Sequence, residues 1–445
     1  MRHRQHRLPA IRDRRNADSG ARVKFAFITP RYGAEITSGA EHACRLLAEQ
    51  ICHRHDVDVL TTCARNTRLA RTDYTEGSDR VRGVLVRRFA LGQPYGASDL
   101  GPLTDRLLSG PHSRADELDW VRTHGPWSPA LIEYLTRQHK TYDALVFFSL
   151  WHPTTVHGVH VAPERSVLFP YLQLAPALRF GLWEEVLSTP RGLGFFTSSE
   201  RHLARTYVHT TPQAEEIVGI GVDPPPQQMY PRHQQDPADV VDDDNARTLT
   251  DDDEGEHAYL EGRGIPFRRR HRLYGRFVLY GGRVDGDNGS EEMLEYFDSY
   301  AQTDEDASLV LMGAKMMKTP DEAYLQLAGV LPDRERMIAY ESADLTIAPS
   351  PDDLLSQSLL ESLSVGTPVL ASGRNEAAVE HCRKAGGGLY YANREEFVEG
   401  LRVLMENPRL RERLSVSGRG YIQQNHRWDA VLGRFDRLIG KVKGR

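Results

Sequence analysis

The stretch Tyr280-Gly281-Gly282-Arg283-Val284-Asp285-Gly286-Asp287-Asn288-Gly289 follows a short apolar run and precedes a helical one. Glycines at such a junction let backbone N–H groups approach an anion, and the N-terminus of the following helix adds a favourable dipole. Arg283 brings a planar, permanent cation suited to a diphosphate. The same spacing also describes an ordinary strand-to-helix turn with a surface arginine, and spacing alone leaves both readings open. Further on, Asp353 and Glu361 stand eight residues apart. Asp353 falls in a loop after Ala348, and a helix opens near Ser356 and Gln357. The backbone N–H groups of Gln357 and Ser358 are helix-start donors suited to a phosphate or sugar oxygen. Glu361 lies inside that helix between Leu360 and Leu363. A carboxylate on such a face needs a partner, which ribose hydroxyls would supply, unless it simply faces solvent. A third, weaker signal is Gly39 beside Ser38, in a loop where backbone could touch a phosphate.

The elements that must hold these residues form two series. Val23–Thr29 reads as a buried strand, residues 40–51 as a helix and Asp56–Thr61 as a second strand. Strand, glycine-bearing loop, helix and strand make a βαβ unit and imply a parallel sheet. Further strands are expected at Asp143–Phe148, Ser166–Phe169, Leu193–Thr197 and Ile217–Ile220, with helices at Ser128–Arg137 and Ala177–Val186. Residues 65–127 read as long loops carrying Trp120, Trp127 and many arginines. This series spans 23–222, after which 223–272 is polar and charge-segregated and reads as a linker or insertion. Its aspartate runs lack regular ligand spacing, so they read as solvated and not as a metal site.

The second series opens at Phe277. Helices are expected at 290–301, 320–327, 332–342, 357–365, 375–383, 394–406 and 408–424, with strands at Ser308–Met312, Asp344–Ala348, Pro368–Ala371 and Gly388–Tyr391. This domain covers 273–426, and a last helix within 427–445 is expected to pack back across both domains. Two successive doubly wound α/β domains place two sets of strand ends around one cleft, where ligands of such folds bind.

The chain has 445 residues, 40% hydrophobic and 27% charged, which bounds it to two or three globular domains. Its net charge of −6 argues against general nucleic-acid binding. No run approaches the length of a membrane span, so none is expected. Residues 1–22 are rich in Arg and His, lack the apolar core of a secretory signal, and read as a disordered basic tail. The four cysteines form no CxxC and no zinc pattern, which points to reduced thiols in the cytoplasm.

Taken together, these segments resemble the large retaining glycosyltransferase family of GT-B fold (glycosyl transferase group 1, family 4-like), and among it a bacterial subgroup. The resemblance rests on GGRVDGDNG before the second-domain helix, and on Asp353 to Glu361 running into Gly366-Thr367-Pro368-Val369. Ser38-Gly39-Ala40-Glu41 adds to it in the first loop. It implies two Rossmann-like domains facing a cleft, with a UDP- or GDP-linked sugar as donor, a small-molecule acceptor and no metal or other cofactor. By the resemblance, Arg283 would hold the diphosphate and Glu361 the ribose. Ser356, Gln357 and Ser358 would offer backbone to the phosphate or sugar. Gly39 would touch the phosphate from the other domain, Asp353 the transferred sugar, and His152 would stand near the reacting carbon. The family's diphosphate lysine is Asn288 here, its first glutamate is Asp353, and Gln173-Leu174-Ala175-Pro176 replaces a family stretch. Lys315 or Lys318 is a candidate for the missing charge, and a weakened protein that binds without turnover is the alternative. Epimerisation and phosphorolysis are other reactions of the fold. A dehydrogenase is disfavoured because no GxGxxG follows either opening strand.

Overall fold

The computed structural model describes residues 22–37, 39–66, 71–92, 100–207, 212–223, 264–273, 275–304, 306 and 308–444. The basic tail up to residue 21, Ser38 and residues 224–263 of the expected linker, with its aspartate runs, lie outside the described residues.

The first sheet contains β1 (Lys24–Ile28), β2 (Asp56–Thr62), β3 (Gly77–Val81), β4 (Val84–Phe89), β5 (Ala144–Phe148), β6 (Ser166–Phe169), β7 (Gly192–Phe195) and β8 (Ala214–Ile217). Its order is β3-β4-β2-β1-β5-β6-β7-β8, parallel throughout except for β3 against β4. The helices accompanying it are α1 (Gly39–Ile51), α2 (Leu100–Ser109), α3 (Arg114–His124), α4 (Pro129–Gln138), α5 (Pro153–Gly158), α6 (Leu182–Ser188) and α7 (Ser198–Tyr207). All five residues of β5 are buried, as expected of a strand covered on both faces.

The second domain begins with α8 (Ile265–Arg270), followed by β9 (Val278–Gly281), α9 (Ser290–Ala301), β10 (Leu309–Met312), β11 (Leu325–Gly329), α10 (Asp333–Ser342) and β12 (Leu345–Ala348). It continues with α11 (Gln357–Val365), β13 (Val369–Ser372), α12 (Glu376–Ala385), β14 (Gly388–Tyr391), α13 (Arg394–Glu406), α14 (Pro408–Asn425) and α15 (Trp428–Lys443). This sheet is all parallel, ordered β11-β10-β9-β12-β13-β14. The last helix returns to the first domain, where Phe435 meets Phe25 at 5.5 Å and Phe169 at 6.4 Å between ring centroids.

Four expectations need correction. Residues 320–327 do not form a helix: Leu325–Gly329 is the edge strand β11, paired with β10. Its apolar side chains fit either period over so short a run, and the free edge of the sheet decided the matter. Residues 65–127 are not simply loops, since they hold the β3–β4 hairpin and two helices. A Ser113 capping box opens α3, and this local signal was present in the sequence. The expected linker is too long at its far end: residues 265–270 are helical, with Phe267 buried and the Arg268 guanidinium over the Phe277 ring at 4.8 Å. The strand expected at 217–220 is displaced towards the N-terminus, to Ala214–Ile217.

Candidate nucleotide-sugar site

In each sheet, the strand order reverses at a central strand. In the first, β1 lies between β2 and β5; in the second, β9 lies between β10 and β12. Loops leaving adjacent strands at such a switch point diverge and leave a crevice beyond their carboxyl ends. Four of the sequence-selected segments emerge there. Gly39 follows β1 and His152 follows β5; Arg283 follows β9 and Asp353 follows β12.

The β9 loop is braced by its own side chains. The Arg283 Nε pairs with the Asp285 carboxylate, and the Arg283 side chain is 45% exposed. The other Asp285 oxygen accepts the Asn288 backbone N–H at 2.9 Å. The Asn288 side-chain amide donates to the Arg283 carbonyl at 3.1 Å, and the Tyr280 hydroxyl donates to it at 2.8 Å. Gly289 has φ +72°, and a Cβ there would lie 2.6 Å from the Pro349 carbonyl oxygen, so the β9 and β12 loops touch through a residue without a side chain. Lys315 is exposed in the loop after β10, and its backbone bridges Val284, one residue from Arg283.

The β12 loop enters α11 through Ser356, whose φ of 47° is left-handed. A non-glycine residue held there stores local strain, which the surrounding contacts must offset. The Ser356 hydroxyl donates to the Asp353 carbonyl at 2.9 Å, and Asn375 donates to the same carbonyl at 3.1 Å. Burial raises the Asp353 carboxyl, while the backbone N–H groups of Ser356 and Leu355 pull it back. The Ser356 N–H therefore serves Asp353, leaving Gln357 and Ser358 as the first-turn donors of α11.

Glu361 is 5% exposed, which excludes a solvent-facing side chain. Its partner is Arg336 on α10, a residue the sequence reading missed. Arg336 Nε donates to Glu361 Oε2 at 3.0 Å and Nη2 to Oε1 at 2.9 Å. Gln357 Nε2 adds a contact to Oε1 at 3.3 Å. Burial raises the Glu361 carboxyl and Arg336 opposes that rise. The local signal on α10 was Asp333 three residues before Arg336, and the two pair at 2.8 Å. Nothing local pointed 25 residues ahead to Glu361.

On the facing domain, Gly39 opens α1 with φ +79°. In the first turn of that helix, Glu41 accepts from Arg31 Nε at 2.8 Å. His152 is 6% exposed, and its Nδ1 lies 2.5 Å from the Gly125 carbonyl oxygen. A carbonyl can only accept, so the proton sits on Nδ1 and the lone pair on Nε2. Burial lowers the His152 pKa to about 4, so the ring is neutral near pH 7. The cleft walls also meet directly. Gln173 donates to the Asp352 carbonyl, and Leu354 and Leu355 share an apolar cluster with Tyr171 and Phe196. Among the described residues, no helix is long and apolar enough to cross a membrane.

Comparison with known proteins agrees with this architecture. Residues 265–421 match the family model described as glycosyl transferases group 1. A curated relative from Xenopus tropicalis, glycosyltransferase 1 domain-containing protein 1, is 30% identical over 87 residues. That stretch covers 19% of this chain and only 24% of the relative. Sucrose-phosphate synthase from Thermosynechococcus elongatus superposes with a TM-score of 0.62 at 14% identity, covering 95% of this chain and 100% of that one. Anabaena HepE, solved in complex with UDP and glucose, gives 0.63 at 12% identity, covering 94% and 99%. Residues 265–421 of this chain thus resemble the group 1 glycosyl transferases, and the chain as a whole has the GT-B fold.

Proposed function

We propose that the chain is a retaining glycosyltransferase that moves a sugar from a UDP- or GDP-linked donor to a small-molecule acceptor, working in the cytoplasm without a metal. The observation carrying this reading is the convergence of Arg283, Asp353, Gly39 and His152 on the switch points of two facing sheets. The solved complex of HepE with UDP and glucose supports a nucleotide sugar as the donor.

In this reading Glu361 receives the ribose, and the backbone of Gln357 and Ser358 takes phosphate or sugar oxygens. Ser356 serves by shaping the turn, since its own N–H faces Asp353. Arg283 exchanges Asp285 for the diphosphate and stabilises the charge that grows on it as the glycosidic bond breaks. The departing phosphate takes the acceptor's proton on the same face, which preserves the anomeric configuration. Neutral His152 and Asp353 orient the sugar from opposite walls, and Gly39 lets backbone approach the phosphate. Closure of the walls excludes water and limits donor hydrolysis.

The test is thermal denaturation of the purified chain with a panel of nucleoside diphosphates, followed by transfer assays with NMR of the product anomer. A nucleotide at about 100 times its Kd stabilises by about 2.7 kcal/mol. Absence of any stabilisation would falsify the donor reading, and an inverted product would remove the retaining mechanism. The second reading is nucleotide binding without turnover. It is favoured by Asn288, whose amide braces the Arg283 carbonyl where the resembled family has a lysine. Binding without transfer to any acceptor, and without donor hydrolysis, would select it.

A further inference from the structure

Glu361 is held by a fork. The two bonds from Arg336, to Oε2 at 3.0 Å and to Oε1 at 2.9 Å, run side by side. A carboxylate has about four lone-pair directions. One on each oxygen points forward, parallel to its neighbour, and these are the two that a bidentate guanidinium occupies. The remaining two diverge to either side. Gln357 Nε2 takes the one on Oε1 at 3.3 Å, leaving one on Oε2 among the described residues.

A ribose presents its 2′ and 3′ hydroxyls as neighbouring donors. To bridge a single carboxylate they need its two parallel directions, because the diverging pair is too far apart. Swinging Gln357 away would not change this. Displacing Arg336 would exchange a fork in which both partners are charged for two uncharged donors, and would part the guanidinium from a buried carboxylate. Arg336 is also anchored from behind, with Nη1 on Asp333 at 2.8 Å. Asp333 in turn lies 3.9 Å from Arg82 of the first domain. The fork therefore stays in place when ligand arrives.

Building on the proposed donor site, we infer that Arg336 is a positioning residue that determines how the ribose is read: with it in place, Glu361 accepts one ribose hydroxyl and not both. The other hydroxyl contributes little to affinity. Arg336 thus makes the site tolerant of change at one ribose carbon and strict at the other.

The experiment is isothermal titration of the full chain with UDP, 2′-deoxy-UDP and 3′-deoxy-UDP, with the guanosine series beside it. In the wild type, one deoxygenation is expected to weaken binding about tenfold or more, as for loss of a bond to a charged group, and the other less than about threefold. In Arg336→Met the parallel directions are vacated, so both deoxygenations become costly. Arg336→Lys keeps the charge without the fork and should shift the profile the same way. Equal losses for the two deoxy nucleotides in the wild type overturn the inference, as does no loss for either. An asymmetric wild type whose profile is unchanged in both variants overturns the role of Arg336. If no nucleoside diphosphate binds at all, the donor reading itself falls and the inference with it. That silence is distinct from a symmetric profile, and the wild-type comparison needs no variant to fold.

Discussion

The two ends of the candidate donor site are built in opposite ways. At the nucleoside end, Glu361 is buried, forked by Arg336 and contacted by Gln357. Arg336 is tied in turn to Asp333. At the phosphate end, Arg283 is half exposed, and its pairing with Asp285 is local to one loop. A preorganised end loses little freedom on binding and so supplies affinity. An exposed cation on a self-braced loop can exchange its internal partner for a ligand whose charge is growing, so its effect falls on the transition state. Under the proposed function, recognition falls to α10 and α11 and rate to the β9 loop.

This division can be broken by experiment. Arg283→Ala should lower the transfer rate most, by about 10²–10³-fold, with a smaller change in nucleotide affinity. Steady-state kinetics beside titration separates the two, and an effect confined to affinity would erase the contrast. His152→Ala should cost about 10²-fold in rate while leaving the KM for donor nearly unchanged, because the proposed function has the ring orienting the transferred sugar and not the nucleotide. A rise in KM without loss of rate would move His152 into ground-state binding.

Glu361→Gln should do the reverse of Arg283→Ala, weakening nucleotide binding by about tenfold. It should also destabilise the apo protein by about 2 kcal/mol, less than for a fully buried pair because the Arg336 side chain is 33% exposed. Urea denaturation checks the second number. If stability falls but affinity does not, the fork is structural only.

Acid should affect both ends together, through the scaffold. His42, His124, His152, His157, His381 and His426 are all lowered by burial, from 6.5 to between about 3 and about 4. A lowered folded-state value means that the unfolded chain binds the proton first. The stability these rings contribute is present above about 6.5 and is lost as pH falls towards about 4. Glu200, raised by burial to about 7, acts in the opposite direction, favouring the fold at low pH and losing that contribution as pH rises through about 7. Asp353, Glu361 and Asp436, also raised by burial, act in the same sense as Glu200, but the six rings outnumber them and the melting temperature should fall by several degrees between pH 6.5 and pH 4. A flat profile would mean the rings are not buried neutral. The smallest effect is expected at Ser356. Replacing it with Gly relieves a left-handed φ of 47° and should stabilise by up to about 1 kcal/mol. Loss of the hydroxyl bond to the Asp353 carbonyl offsets part of that gain.

Much of this protein was legible in the order of its residues. Strand, glycine-bearing loop and helix repeat at local spacing, and burial on both faces gives the strands an unbroken apolar run. Two parallel sheets followed from that, and the switch-point loops with them, because connection rules leave few topologies. Arg283, Asp353 and Glu361 stood out because glycine-rich turns and helix mouths are local features. The edge strand β11 was not legible, since a few apolar residues fit two periods and only a free sheet edge chooses between them.

The partner of Glu361 was not legible either. Ion pairing in three dimensions depends on which helices the sheet order brings side by side, and α10 meets α11 only after the chain has crossed the sheet. The tautomer of His152 likewise waits on a carbonyl 27 residues earlier. Residue type and spacing determined which groups are candidates for chemistry. The tertiary structure decided which of their hydrogen-bonding directions are already occupied, because that depends on neighbours distant in the chain.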